Sequence, residues 1–144
     1  MRLQLALNVP DLTQAIHFYE KLFATSVAKI EPGYANFEIA KPPLKLVLFE
    51  SESADRLNHL GVEVFSTEEV EQARSEWEAR GLSVVEEEAT ECCFARQNKA
   101  VTYSPDGTMW ETCHKLADVP HAPDQPMALE SPTPSQVAQA PRCC

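Results

Sequence analysis

The sequence predicts an α+β fold built from two βαβββ modules, and three observations predict it. An alternating, strand-like run opens each half of the ordered chain, at Leu3–Val9 and at Leu57–Val64. Each run is followed at once by a capped amphipathic helix. Each helix is followed by three short strand candidates separated by turn residues.

In the first module, Leu3, Leu5, Leu7 and Val9 share one strand face, and Gln4, Ala6 and Asn8 share the other. Asp11 is the helix cap, with Gln14 three residues on completing a capping box. Leu12, Ala15, Ile16, Tyr19 and Leu22 recur at helical spacing and form the inner face. Strands are expected at Val27–Ile30, Tyr34–Ile39 and Leu44–Phe49, punctuated by Pro32-Gly33 and Pro42-Pro43.

The second module repeats that order. Laying Gln4 on His59 places Leu5 on Leu60, Leu7 on Val62 and Val9 on Val64. Ser66 and Glu69 form the second capping box. Val70, Ala73 and Trp77 face inward, and Gly81 stops the helix. Strands are then expected at Ser83–Glu87, Cys93–Tyr103 with a break near Asn98, and Met109–Lys115. Thr90-Glu91 reads as loop, and Ser104-Pro105-Asp106-Gly107 is a turn.

The modules span about residues 1–52 and 56–116 of one domain, 1–116. From residue 117 the composition shifts to Pro, Ala, Gln and Ser with no period. Residues 117–144, ending in Cys143-Cys144, therefore read as a disordered tail.

Composition narrows the function. The 144 residues carry 22 acidic and 12 basic side chains, a net charge of −10. Phosphate neutralisation needs clustered Lys and Arg, so nucleic-acid binding is disfavoured. No apolar run reaches the roughly 18 residues of a membrane helix, and the start is too short and strand-like for a signal peptide. The expected location is the cytoplasm, where thiols stay reduced. The five cysteines are then candidates for soft-ligand chemistry. With four glycines and no G-x-G-x-x-G or Walker loop, nucleotide binding is disfavoured. Ser104 lacks a hydrolase nucleophile's setting.

Gln4, His59 and Glu111 are the metal candidates. Gln4 and His59 are equivalent in the two modules, and Glu111 lies inside the last strand. Singly, each has an ordinary explanation: a solvent-facing amide, a satisfied strand histidine, a surface carboxylate. Their coincidence in a repeated framework is what favours a metal. An amide oxygen, an imidazole and a carboxylate suit Fe, Mn, Ni or Zn. The first-module equivalent of Glu111 is expected near Leu46, which cannot ligate. That leaves three protein ligands and open positions, as metal catalysis needs.

Cys92-Cys93 is the second constellation, a soft grip for As(III), Cd, Hg or Zn. Neighbouring strand side chains point to opposite faces, so both sulfurs reach one ion only where the backbone leaves strand geometry. The alternative is one buried, core-packing cysteine and one incidental thiol. Cys113 shares the face of Glu111, with a core role as the alternative. Cys143-Cys144 reads as incidental tail thiols rather than a relay for soft ions. His17, His114 and His121 are assigned no role.

These residues carry a resemblance. The paired βαβββ units and the S-P-D-G-T-M-W-E run resemble the vicinal oxygen chelate superfamily of glyoxalases, extradiol dioxygenases and fosfomycin-resistance proteins. More closely, LQLALNVPDL, PGYANFEIAKPPLKLVL, LNHLGVEV and the E-C-C run look like the C–As lyases, which also cover sequences labelled cadmium-induced or glyoxalase-like. The match spans Met1 to about Lys115.

The resemblance implies a non-haem Fe(II), O₂-dependent enzyme that cleaves the C–As bond of trivalent organoarsenicals such as methylarsenite or reduced aromatic arsenicals. It implies Gln4, His59 and Glu111 as metal ligands, and Cys92 and Cys93 as the As(III)-binding pair. The expected state is a monomer or homodimer without nucleic-acid or membrane partners. Cys113 departs from the aromatic or apolar residue expected at its position. A thiol-based arsenic or cadmium binding protein, or a glyoxalase-type metalloenzyme, are the alternative readings.

Overall fold

Strand β1 (Arg2–Val9) and strand β5 (Leu57–Val64) pair antiparallel at the centre of the molecule, and everything else is arranged about them. A computed structural model describes residues 1–92 and 94–119, with Cys92 described by its backbone alone. The remaining chain order is α1 (Leu12–Phe23), β2 (Lys29–Glu31), β3 (Tyr34–Ile39), β4 (Leu44–Glu50), α2 (Thr67–Ala79), β6 (Val85–Cys92), β7 (Ala95–Tyr103) and β8 (Met109–Asp118). The strands form one curled eight-stranded sheet in the order β2-β3-β4-β1-β5-β8-β7-β6. β1 is parallel to β4, and β5 is parallel to β8. The two halves therefore have the same internal order, as the repeat predicts. No described helix is long and apolar enough to cross a membrane.

The caps form as expected. The Asp11 carboxylate accepts from Gln14 N at 2.8 Å, and the Ser66 hydroxyl accepts from Glu69 N at 3.3 Å. Helix α1 packs Leu12 and Ile16 onto Ala35, Phe37, Ile39, Leu46 and Leu48. Its C-terminal inner position is Phe23 rather than Leu22, which is 58% exposed. The stripe drifts because 3.6 residues per turn carry the face to position 11 after Leu12, not position 10. Helix α2 covers Val64 and Ala100 with Val70 and Trp77.

The helices occupy one face of the sheet. The other face is concave and carries Gln4, Ala6, Tyr34, Val47 and Phe49. The curl is tight enough for Lys29 on edge strand β2 to reach the Phe94 carbonyl at 2.9 Å and Asp118 on β8 at 2.7 Å.

Three expectations change. Thr90 and Glu91 are strand residues, paired with Gln97 and Arg96 across a register shift between Glu87 and Thr90. β6 therefore runs to Cys92, and β7 begins at Ala95. The break near Asn98 is a register shift between Arg96 and Gln97 in the pairing of β7 with β8. The expected strand at Val27–Ile30 forms as Lys29–Glu31. Cys93, His121, Cys143-Cys144 and all but the first residues of the expected tail lie outside the described residues.

Candidate functional site

Sheet register brings the three metal candidates together. Gln4 on β1 lies opposite Gly61 on β5, and Gly61 lies opposite Glu111 on β8. His59 is two residues before Gly61, so its side chain emerges on that same face. Gln4, His59 and Glu111 are 3%, 0% and 1% exposed. The Gln4 Nε2 group lies 3.1 Å from His59 Nε2 and donates to Glu111 Oε1 at 2.6 Å. His59 Nε2 is 3.5 Å from Glu111 Oε1. The first-module counterpart of Glu111 is Val47, one residue on from Leu46. Gln4 laid on His59 carries Ala6 onto Gly61, and Ala6 pairs with Val47 as Gly61 pairs with Glu111. Leu46 points to the helix side. Val47 cannot ligate either, so the set still has three members.

Two residues that sequence reasoning passed over hold this arrangement. Asn58 sits where the β1–β5 register slips, because Ala6 pairs with His59 but Leu7 pairs with Leu57. A bulge of this kind re-aims a side chain. The Asn58 side-chain oxygen Oδ1 lies 2.7 Å from His59 Nδ1, and Asn58 Nδ2 donates to Asn8 Oδ1 at 2.9 Å. With Nδ1–H donated to Asn58, Nε2 carries the lone pair and faces Gln4 and Glu111. Gly61 is required for room. A Cβ there would stand 2.8 Å from Glu111 Cγ and 2.9 Å from the Glu111 carbonyl oxygen. A glycine inside a strand is the one sequence signal of such an approach.

The donor set fits a divalent cation. Two acceptors, an imidazole nitrogen and a carboxylate oxygen, converge on the Gln4 NH₂, which stands where positive charge would. Its partner oxygen, Oε1, faces Cys113 Sγ at 3.7 Å. A half-turn of the amide exchanges the two atoms with little change in shape and presents the oxygen instead. Glu111 Oε2 is buried without a hydrogen-bond partner, and leaving such an atom unpaired costs about 1–3 kcal/mol. Its nearest cation is the Lys99 ammonium at 4.0 Å, which lies 3.2 Å from Glu87. Among the described residues no group of three His, Cys, Asp and Glu side chains is placed to hold a metal. The present set supplies two of those types and an amide.

A second polar cluster borders the site. Glu63 on β5 is 6% exposed, paired with Lys45 at 3.1 Å and with Arg2. Burial pushes its carboxyl up, but Lys45 and Arg2 together outweigh burial and hold it below the ordinary carboxylate range. Burial likewise works against the Lys45 ammonium, while its electrostatic interactions with neighbouring Cys113 and Glu63 raise its pKa above the usual lysine value. Cys113 itself is 1% exposed, as its position two residues past Glu111 implies. His114 is on the opposite face, near Thr67 of α2. The His17 side chain is 68% exposed.

Strand β6 ends at Cys92 and strand β7 begins at Ala95. The backbone of Cys92 pairs with Ala95, and Phe94 has a left-handed φ of +67°. Phe94 thus leaves strand geometry, while the side chains of Cys92 and Cys93 lie outside the described residues. Phe94 is 2% exposed and packs with Tyr34, Val47 and Phe49 on the concave face. Phe49 in turn lies 6.4 Å from the His59 ring.

Comparison with known proteins agrees with this fold. Residues 3–112 match the glyoxalase/bleomycin resistance protein/dioxygenase superfamily. A trivalent organoarsenical cleaving enzyme of Thermomonospora curvata is 54% identical over 112 residues, 76% of this chain and 74% of its own length. The cadmium-induced protein CadI of Mycobacterium tuberculosis is 51% identical over 118 residues, 81% of this chain and 78% of that one. Among solved structures, the Mn(II)-bound glyoxalase of Novosphingobium aromaticivorans superposes with a TM-score of 0.58 at 20% identity, over 83% of this chain and 41% of its own. Homoprotocatechuate 2,3-dioxygenase of Arthrobacter globiformis superposes with a TM-score of 0.60 at 16% identity, over 81% and 36%. At those identities the two structures speak for the fold alone.

Proposed function

The chain belongs to the glyoxalase/bleomycin resistance protein/dioxygenase superfamily, and from that premise we propose that it cleaves the C–As bond of trivalent organoarsenicals, using Fe(II) and O₂. The observation that carries the proposal is the buried meeting of Gln4, His59 and Glu111, in a chain that also carries the adjacent cysteines Cys92 and Cys93. The name of the 54% identical relative supplies the substrate class.

In this reading the Cys92 and Cys93 thiols exchange with the two As–OH groups of the substrate. Each As–S bond forms as one water leaves, and the arsenic is held as a dithiolate. Gln4 through its amide oxygen, His59 through Nε2 and Glu111 through its carboxylate would hold Fe(II). The bound ion supplies O₂ activation beside the C–As bond. Asn58 keeps the proton on His59 Nδ1, so Nε2 stays available. The buried surroundings exclude bulk water, and holding both reactants in place is worth up to about 7–11 kcal/mol in favourable systems. The overall reaction balances without further reductant: methylarsenite and O₂ give arsenite and formaldehyde.

A second reading is thiol-based sequestration, favoured by the relatives named cadmium-induced protein. A third is a glyoxalase-type reaction, for which the fourth ligand position is filled by apolar Val47. The test is to load reduced protein with Fe(II) and methylarsenite anaerobically, admit O₂, and separate the arsenic species. Arsenite release that is lost in Cys93→Ser supports the lyase. Tight arsenical binding with no cleavage under any divalent metal contradicts it and leaves sequestration.

A further inference from the structure

We infer that Cys113 is a positioning residue for Gln4: its sulfur takes the Gln4 amide N–H when a divalent metal turns the amide oxygen toward His59 and Glu111. The inference rests on the metal-holding part of the reading above. It adds the residue that lets Gln4 serve as a ligand.

The first observation is what the Gln4 amide faces. The side chain is 3% exposed, so both ends of its amide need partners within the protein. Nε2 lies 3.1 Å from His59 Nε2 and donates to Glu111 Oε1 at 2.6 Å. Oε1 accepts from Cys113 Sγ at 3.7 Å, a hydrogen-bond distance for sulfur. The NH₂ group therefore occupies the side on which a cation would stand, and the oxygen able to ligate faces the thiol.

The second is the chemistry of that thiol. A cation held by His59 and Glu111 repels the NH₂ group and attracts the oxygen, so the amide makes a half-turn. The NH₂ group then faces position 113. A thiol donates weakly to an oxygen and accepts weakly from an N–H. Cys113 is thus a partner for the amide in either orientation, whereas an alkyl side chain is a partner in neither.

The third is how the sulfur is placed. Cys113 is 1% exposed. It lies two residues past Glu111 on the same face of β8, opposite Glu63 of β5 and Lys99 of β7. Strand β8 is paired on both sides here, so the sulfur stays fixed relative to Glu111 while the amide turns.

Removing the sulfur costs the two states unequally. The metal-free state is left with one unpaired carbonyl oxygen. The metal-bound state is left with an unpaired NH₂ group. Buried N–H groups without a partner are the more rarely tolerated of the two, so metal affinity falls.

The test titrates Co(II) anaerobically into the intact reduced protein. Binding is followed by the part of the Co(II) d–d absorption that His59→Ala abolishes. Cys113→Ala should weaken binding about 10-fold, the scale of a lost orienting partner. Cys113→Ser, whose hydroxyl also donates and accepts, should stay within about 3-fold of wild type. In a Gln4→Ala background, Cys113→Ala should change the affinity by less than about 2-fold, because no amide remains to be positioned. Cys113→Val, which keeps apolar contacts, should weaken binding as the alanine variant does and serves where that variant folds poorly.

An affinity unchanged in Cys113→Ala and Cys113→Val overturns the inference. So does an equal loss with and without the Gln4 amide, which would mean packing alone. A sulfur-to-cobalt charge-transfer band that vanishes in Cys113→Ser also overturns it, by making the sulfur a ligand. Co(II) absorption that His59→Ala leaves intact overturns the metal reading itself, and the inference with it.

Discussion

At the scale of single residues, the candidate metal set is held by neighbours that do not themselves ligate. Gly61→Ala would drive a methyl group into the Glu111 side chain. Overpacking of this kind costs about 1–3 kcal/mol, and here it turns the carboxylate away from His59. We predict a lowered melting temperature and weakened Fe(II) binding in that variant, measured by thermal denaturation and metal titration. Asn58→Ala removes the acceptor for His59 Nδ1–H while leaving the core untouched. Loss of such an orienting partner lowers metal affinity about 10–100-fold. The melting temperature of the metal-free protein should change little. The convergence of Gln4, His59 and Glu111 was legible from the alternation of β1 and β5 and from the repeat. Asn58 and Gly61 were not, because their positions follow from a bulge and from the register of a third strand. One strand's sequence encodes neither.

At the scale of elements, local signals were the most legible. Asp11 and Ser66 cap their helices as the side-chain chemistry requires. Ser66→Ala should cost about 1 kcal/mol of stability, seen as a lower urea midpoint with an unchanged slope. What sequence misplaced was set by neighbours. Thr90 and Glu91 look like loop residues, but β7 offers them strand partners in Arg96 and Gln97. The counterpart of Glu111 was expected near Leu46, and pairing across β1 makes it Val47. A one-residue shift in a strand changes the face, so register decides such questions and the sequence of a single strand does not.

At the scale of the whole molecule, the curled sheet turns one face to the helices and the other inward, and charge is managed on the inner face. Glu63 carries the clearest pH signature. Its carboxyl is held below its ordinary value of 4.5 in the folded state. Its contribution to stability is therefore fully present above about that pH and is lost as pH falls through the lower folded value. Acid unfolding of wild type should show this loss below pH 4.5, and Glu63→Gln should flatten that part of the stability profile. The two-module architecture was legible from the ordered series of elements. The curl was not, because the Lys29 contacts that join β2 to Phe94 and Asp118 link residues 65 and 89 positions apart in sequence.

The central claim is that a metal held by Gln4, His59 and Glu111 drives C–As cleavage. The most direct measurement pairs O₂ consumption with arsenite formation from methylarsenite. It uses wild type and His59→Ala, each after chelation and after Fe(II) is returned. The account predicts one O₂ consumed per arsenite in the Fe(II)-restored wild type. It predicts neither in the chelated protein, nor in His59→Ala with or without iron. Arsenite formed at the wild-type rate by chelated protein or by His59→Ala would contradict it.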